Sequence, residues 1–173
     1  TTTVRGATTT NPGTGPTTTV GTTRPTAKAP GPYSTAVPPQ RGVQLTFPMP
    51  GYPVVSRFGM RVQPILGVYR MHEGWDIWAN TGTPIKAAGA GTVLWVGYRS
   101  GYGNCVILSH GGGVGTVYAH MSSFAEIAVG DSVASLEVIG YVGSTGLSAG
   151  PHLHWEVRID GVAYDPKYFV EPS

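Results

Sequence analysis

The chain has 173 residues and 40% apolar content, enough for one globular domain with a real core, while Gly (26) and Pro (15) favour turns and short strands over long helices. The formal net charge of +2 hides an asymmetry: residues 1–42 carry four basic and no acidic side chains, leaving seven basic and nine acidic for the rest. No concentrated basic stripe results, so no nucleic-acid partner is expected. A single cysteine, Cys105, excludes an intrachain disulfide, and its setting NCVILSH reads as a small hydrophobe in a strand, a buried inert thiol. No run approaches the roughly 18 apolar residues of a membrane span. The sequence opens at Thr1 without a basic-then-apolar leader of its own, so any secretion signal is expected to have been cleaved or to lie outside it, which leaves export open.

In chain order, residues 1–42 come first, with Thr, Pro and Gly at 27 of 42 positions. So little apolar surface cannot offset the entropy of ordering the segment, which is read as an extended or disordered linker joining a domain at 43–173 to an anchor, a second module or a longer parent chain. Within the domain, VQLTFPMPGYPVVSRFGMRVQP is strand-like and broken by prolines. Six Gly-bounded, Val- and Ile-rich runs then read as strands: 83–87, 92–98, 104–110, 115–120, 138–142 and 154–160. A short helical turn is expected over 122–127. The sum is a mostly β domain built on a largely antiparallel sheet.

Three stretches carry chemistry. In His72-Glu-Gly-Trp-Asp76 the i, i+4 spacing can bring an imidazole and a carboxylate to one ion, and Gly74 argues against a helix there. Alone, such a pair is more often a surface hydrogen bond. The helical zinc motif His-Glu-x-x-His is absent, so Glu73 is not placed as that motif's base. In Thr116-Val-Tyr-Ala-His120, alternation predicts that Thr116, Tyr118 and His120 share a strand face. His110, ending the strand before, is read as hydrogen-bonded and structural. In Pro151-His152-Leu-His154, a strand period of two points both imidazoles one way. Two His, one Asp and a water suit a catalytic zinc; taking His72, Asp76 and one of the final pair leaves two imidazoles for proton traffic.

Five segments together carry a family likeness: His72-x-Gly-x-Asp76; Gly82-Thr83-Pro84-Ile85-x-Ala87-x-x-x-Gly91-x-Val93; Gly101-Tyr102-Gly103-Asn104; Tyr118-Ala119-His120-Met121-Ser122; and Gly143-x-Thr145-Gly146-x-Ser148-x-Gly150-Pro151-His152-Leu153-His154-Trp155-Glu156. In this order, over about residues 46 to 170, they resemble the LytM or lysostaphin-type zinc endopeptidases that cut peptidoglycan. The resemblance implies an antiparallel β core with an active-site groove. It also implies Zn2+ held by His72, Asp76 and His154, and His120 and His152 flanking an activated water. Phe58-Gly-Met-Arg61 looks like the family's opening motif, which makes Arg61 a candidate for positioning substrate, as Tyr118 is, or for a structural salt bridge. Glu156 or a backbone carbonyl is expected to orient an imidazole from behind. Where the family has Gly-Gln, this chain has Leu136-Glu137, so the turn there is expected to be reshaped, since Leu resists a left-handed conformation.

The function so implied is zinc-dependent hydrolysis of peptide bonds in peptidoglycan, acting outside the cytoplasm as a secreted, cell-wall-associated or virion-associated protein. The alternative is a non-catalytic cell-wall binding, activator or structural module of a larger envelope or virion assembly. A complete set of five residues favours the enzyme. Gly146-Leu-Ser148-Ala-Gly150 fits the serine-hydrolase pattern, but Pro151 and a strand follow where a helix is required. A Cys105 nucleophile is opposed by its strand setting.

Overall fold

The structure, a computed structural model, describes residues 32–171. They form twelve strands: β1 (Val54–Ser56), β2 (Gly59–Val62), β3 (Tyr69–His72), β4 (Trp75–Trp78), β5 (Pro84–Lys86), β6 (Gly91–Arg99), β7 (Gly103–Ser109), β8 (Val114–Phe124), β9 (Ser132–Val133), β10 (Val138–Val142), β11 (His152–Ile159) and β12 (Val162–Tyr164). A single 3-10 turn, Pro166–Tyr168, is the one helical element among the described residues; Asp165 caps it by accepting from the Lys167 N–H. Ten strands make one antiparallel sheet in the order β1-β4-β11-β8-β7-β6-β9, with β12 on β11 and β10 bridging β8 and β5. β2 and β3 form a separate hairpin.

All six expected strand runs are present. The expected helical turn over 122–127 is not. Ser122–Phe124 instead continue β8, because β10 arrives alongside and pairs Gly140 with Phe124 and Tyr141 with Ser123. Apolar residues at 124 and 127 imitate a helical spacing, but the ladder hydrogen bonds available from β10 settle the backbone.

The sheet's core face carries Trp75, Ile77, Tyr118, Leu153, Trp155 and Val157, all fully buried. Phe47, Trp75 and Trp155 pack edge to face with centroids 6.3–6.4 Å apart, an arrangement worth about 0.5–1.5 kcal/mol per pair beyond area burial. Trp75 and Trp155 are direct register partners across β4 and β11, so the next pair along the ladder, Asp76 and His154, is fixed on the opposite face. The aromatic core thereby locks the register that sets the site. Gly74 belongs to the same lock: a Cβ there would overlap the Trp155 carbonyl.

Residues 1–31 of the expected linker lie outside the described residues. The rest of it, 32–42, runs along the domain: Tyr33 bridges Ala163 in parallel, with Ser34 N–H donating to Ala163 O and Ala163 N–H to Pro32 O, both at 2.9 Å. Arg41 pairs with Asp160. Among the described residues, packing against the sheet is thus already present at Pro32.

Leu136 does take the left-handed conformation, at φ +66°, that its side chain was expected to resist. The Leu136 N–H donates to Ala87 O, the Ala87 N–H returns to Glu137 O, and Glu137 Oε2 accepts from the Ala134 N–H.

Candidate metal centre and groove

β11 presents His152, His154, Glu156 and Arg158 on its groove face, as period-two alternation predicts. Asp76 stands directly across from His154, and His72 ends β3 beside them. Asp76 Oδ1 lies 2.9 Å from both His72 Nε2 and His154 Nδ1, and those nitrogens are 3.1 Å apart. The spacing is close to the ~3.3 Å edge of a tetrahedron with arms of about 2.0–2.1 Å.

Protons explain why these atoms need a cation. His72 Nδ1 faces the Arg57 carbonyl at 2.8 Å, and a carbonyl only accepts, so the proton sits on Nδ1 and Nε2 carries a lone pair. His154 Nε2 donates to Glu156 Oε1 at 3.0 Å, which leaves Nδ1 with a lone pair. With His154 neutral, two nitrogen lone pairs and a carboxylate oxygen converge on one point. A divalent ion with nitrogen and oxygen preference fits this donor set. Burial works against charge on His154, yet hydrogen bonds with Asp76 and Glu156 outweigh it and push its pKa up to about 9. Without a cation the surroundings therefore hold a second proton on His154, at Nδ1 toward Asp76; an ion bound there would take that proton's place and its charge. Burial would also raise Asp76, but His154 and His72 hold its carboxyl well below the usual range.

His120 reaches this face by a local device. Thr116 and Tyr118 face the core, and unbroken alternation would send His120 the same way. At His120 the backbone turns left-handed, φ +61°, where β8 exchanges β11 for β10 as its partner and shifts register against β7. The side chain swings to the groove, its centroid 4.8 Å from His152 and 5.9 Å from His154. Its N–H is held by Tyr102 O at 2.8 Å. Nδ1 donates to Thr145 O at 2.7 Å, and His152 Nδ1 donates to Gly150 O at 2.8 Å, so both present an unprotonated Nε2 to the site. His152 Nε2 lies 3.5 Å from Asp76 Oδ1. Burial lowers both pKa values; His120, also beside His154 and His152, falls to about 3. Both imidazoles are neutral near pH 7 and able to accept a proton.

Behind His154 lies a buried ionic relay. Glu156 accepts from His154, from Tyr102 Oη at 2.8 Å, and through Oε2 from Arg158 Nε at 2.6 Å; Arg158 also pairs with Glu73. Burial opposes the charge on Glu156, but His154 and Arg158 bring its pKa down to about 2. Glu156 was expected in this orienting place. Arg158, Tyr102 and Glu73 carried no assigned role, although Arg158 continues the 152-154-156 face and was findable on that ground.

Arg61 lines the groove and pairs with Asp76 Oδ2 at 2.9 Å, so it is a salt-bridge partner of the centre. Tyr118 does not line the groove. It is fully buried, its Oη accepting from the Ala88 N–H at 2.7 Å and from Thr116 Oγ1 at 3.0 Å, which corrects the expectation that it meets substrate. His110 is structural, bonded to Ala90 O and Thr116 Oγ1. Ser148 Oγ donates to Gly150 O just before β11, far from an elbow's geometry. The groove encloses about 640 Å³, and Val55, Trp78, Leu147 and Pro151 give it apolar walls. No described residue of the segment 32–42 lines it.

The profile of peptidase family M23 matches residues 70–166, and the chain belongs to that family. It is 49% identical over 120 residues to the DD-carboxypeptidase/endopeptidase Mpg of Neisseria meningitidis, a match covering 69% of this chain and 27% of that protein. Among solved structures, the catalytic domain of the antimicrobial peptidase lysostaphin from Staphylococcus simulans superposes with a TM-score of 0.63 at 35% identity, covering 68% of this chain and 91% of that one. A zinc-containing peptidase from Vibrio cholerae superposes at 0.66 with 28% identity, covering 72% and 39%. The chain spans about a quarter of the length of the curated relative it matches.

Proposed function

We propose that the domain is a zinc-dependent endopeptidase that hydrolyses peptide bonds of peptidoglycan, working outside the cytoplasmic membrane where that polymer lies. The observation that carries this reading is the convergence of His72 Nε2, Asp76 Oδ1 and His154 Nδ1 within 3.1 Å of one another, beside the imidazoles of His120 and His152. His72 Nε2, Asp76 Oδ1 and His154 Nδ1 would hold the ion. Zinc bound there supplies Lewis-acid charge, which polarises a scissile carbonyl and lets a water lose its proton near neutral pH. His120 and His152 supply the proton path: one Nε2 takes the proton from the attacking water, and the pair returns one to the leaving amine. Their Nδ1–H bonds to Thr145 O and Gly150 O keep both rings in the required tautomer. Glu156, held by Arg158, does the same for His154. The partly apolar walls of the groove strengthen these charges by lowering the dielectric on one side of them.

Mpg's name supports peptide bonds between D-residues as a target class, which points to the stem peptide and its cross-links. The test is digestion of purified peptidoglycan, followed by mass spectrometry of the products. New amino termini are expected, absent after a chelator and restored by zinc. If zinc-loaded protein releases no fragment from any wall type, the reading fails and a wall-binding or activator module takes its place.

A further inference from the structure

One wall of the groove carries charge that the domain itself does not use. In the β2–β3 hairpin, Arg61 is the direct register partner of Arg70, so both guanidiniums leave the ribbon on one face. Like charges directly opposite cost stability unless an anion lies with them. Both arginines line the groove. Arg61 gives Nη2 to Asp76, while its Nε is a buried donor with no acceptor. Arg70 has no hydrogen-bond or ion-pair partner among the described residues. Nor can the groove's own acids serve it, for Asp76 is engaged by Arg61 and two histidines, and Glu73 and Glu156 by Arg158.

We infer that Arg70 anchors a carboxylate of the bound peptide and so selects substrates with a free acid near the scissile bond. The planar guanidinium matches a carboxylate in two parallel hydrogen bonds. The inference rests on the endopeptidase reading for the ligand being a peptide. Such an acid has two sources: the C-terminal carboxylate of an uncross-linked stem, or the carboxylate of a diamino acid within a cross-link.

The test reads binding rather than turnover, so it stands even if no wall is cut. Zinc-loaded His152→Ala protein, with Arg70 intact or changed to Gln or Lys, is titrated with four synthetic stem peptides: a terminal acid, its amide, an internal diamino acid with free carboxylate, and its amide. With Arg70, one acid is expected to bind at least about tenfold tighter than its amide, the usual scale for a charge-assisted bond, and which acid does so names the source. Arg70→Gln removes that preference and leaves amide binding unchanged, which also shows the groove intact; Arg70→Lys keeps part of it. Equal binding of both acids and their amides to the Arg70 protein, or a preference that survives Arg70→Gln, overturns the inference.

Discussion

His120 and His152 share a chemical state for different local reasons, and this sets what their loss should do. Each has its Nδ1 proton fixed by a backbone carbonyl, and neither contributes an atom to the three-donor cluster. Replacing either by Ala is therefore expected to lower kcat by about 10²-fold or more while zinc content, read by atomic emission, stays near one per chain. Asp76→Ala removes the oxygen donor and unpairs Arg61, so metal content itself should fall. Full activity in the His120 variant would sink its assigned part, and zinc lost with His152→Ala but kept with His154→Ala would exchange theirs. Cys105 makes the opposite case, a reactive group with nothing to do. Burial pushes its thiol up to about 12, so a thiol reagent at pH 8 should label none of the native protein and one group per chain after denaturation. Labelling of the native fold would show that β7 opens more readily than its packing implies.

At the scale of elements, the sequence was readable where periodicity had room to act. β11, eight residues long, declared its two faces through His152, His154 and Glu156, and those faces hold. β9 and β12, of two and three residues, are too short for any alternation to show, and they exist because a neighbouring strand offers bonds. The strand face of His120 was misassigned: the left-handed residue that turns it round to the groove depends on β10 and β7 arriving from distant sequence. The same backbone conformation at Leu136 tests how much such a residue costs. No catalytic group depends on it, and Leu136 is 42% exposed. Leu136→Gly should remove the left-handed penalty of about 1–2 kcal/mol and return part of it as chain entropy, for a net gain of about 0.5–1 kcal/mol in denaturant unfolding. A loss of stability would mean that the side chain's packing outweighs the backbone.

At the scale of the whole molecule, the unusual feature is that residues 32–42, composed like a linker, lie against the sheet. Edge strand β12 is three residues long and pairs on one side with β11. On its other side Ala163 is met by Pro32–Ser34, whose two backbone bonds satisfy the edge that would otherwise stand open. Arg41 then ties the segment to Asp160 at the turn between β11 and β12. Two hydrogen bonds at about 0.5–1.5 kcal/mol each, and a surface ion pair at about 0–1 kcal/mol, make the attachment worth roughly 1–4 kcal/mol. A chain beginning at residue 43 should thus unfold a few degrees below one beginning at residue 32, as read by calorimetry. Peptide cleavage by the two should be equal at a temperature where both are folded, because the described part of the segment stays clear of the groove. Equal melting would show that Pro32–Gly42 only rests on the sheet, and unequal cleavage would show that β12 communicates with β11 and its histidines.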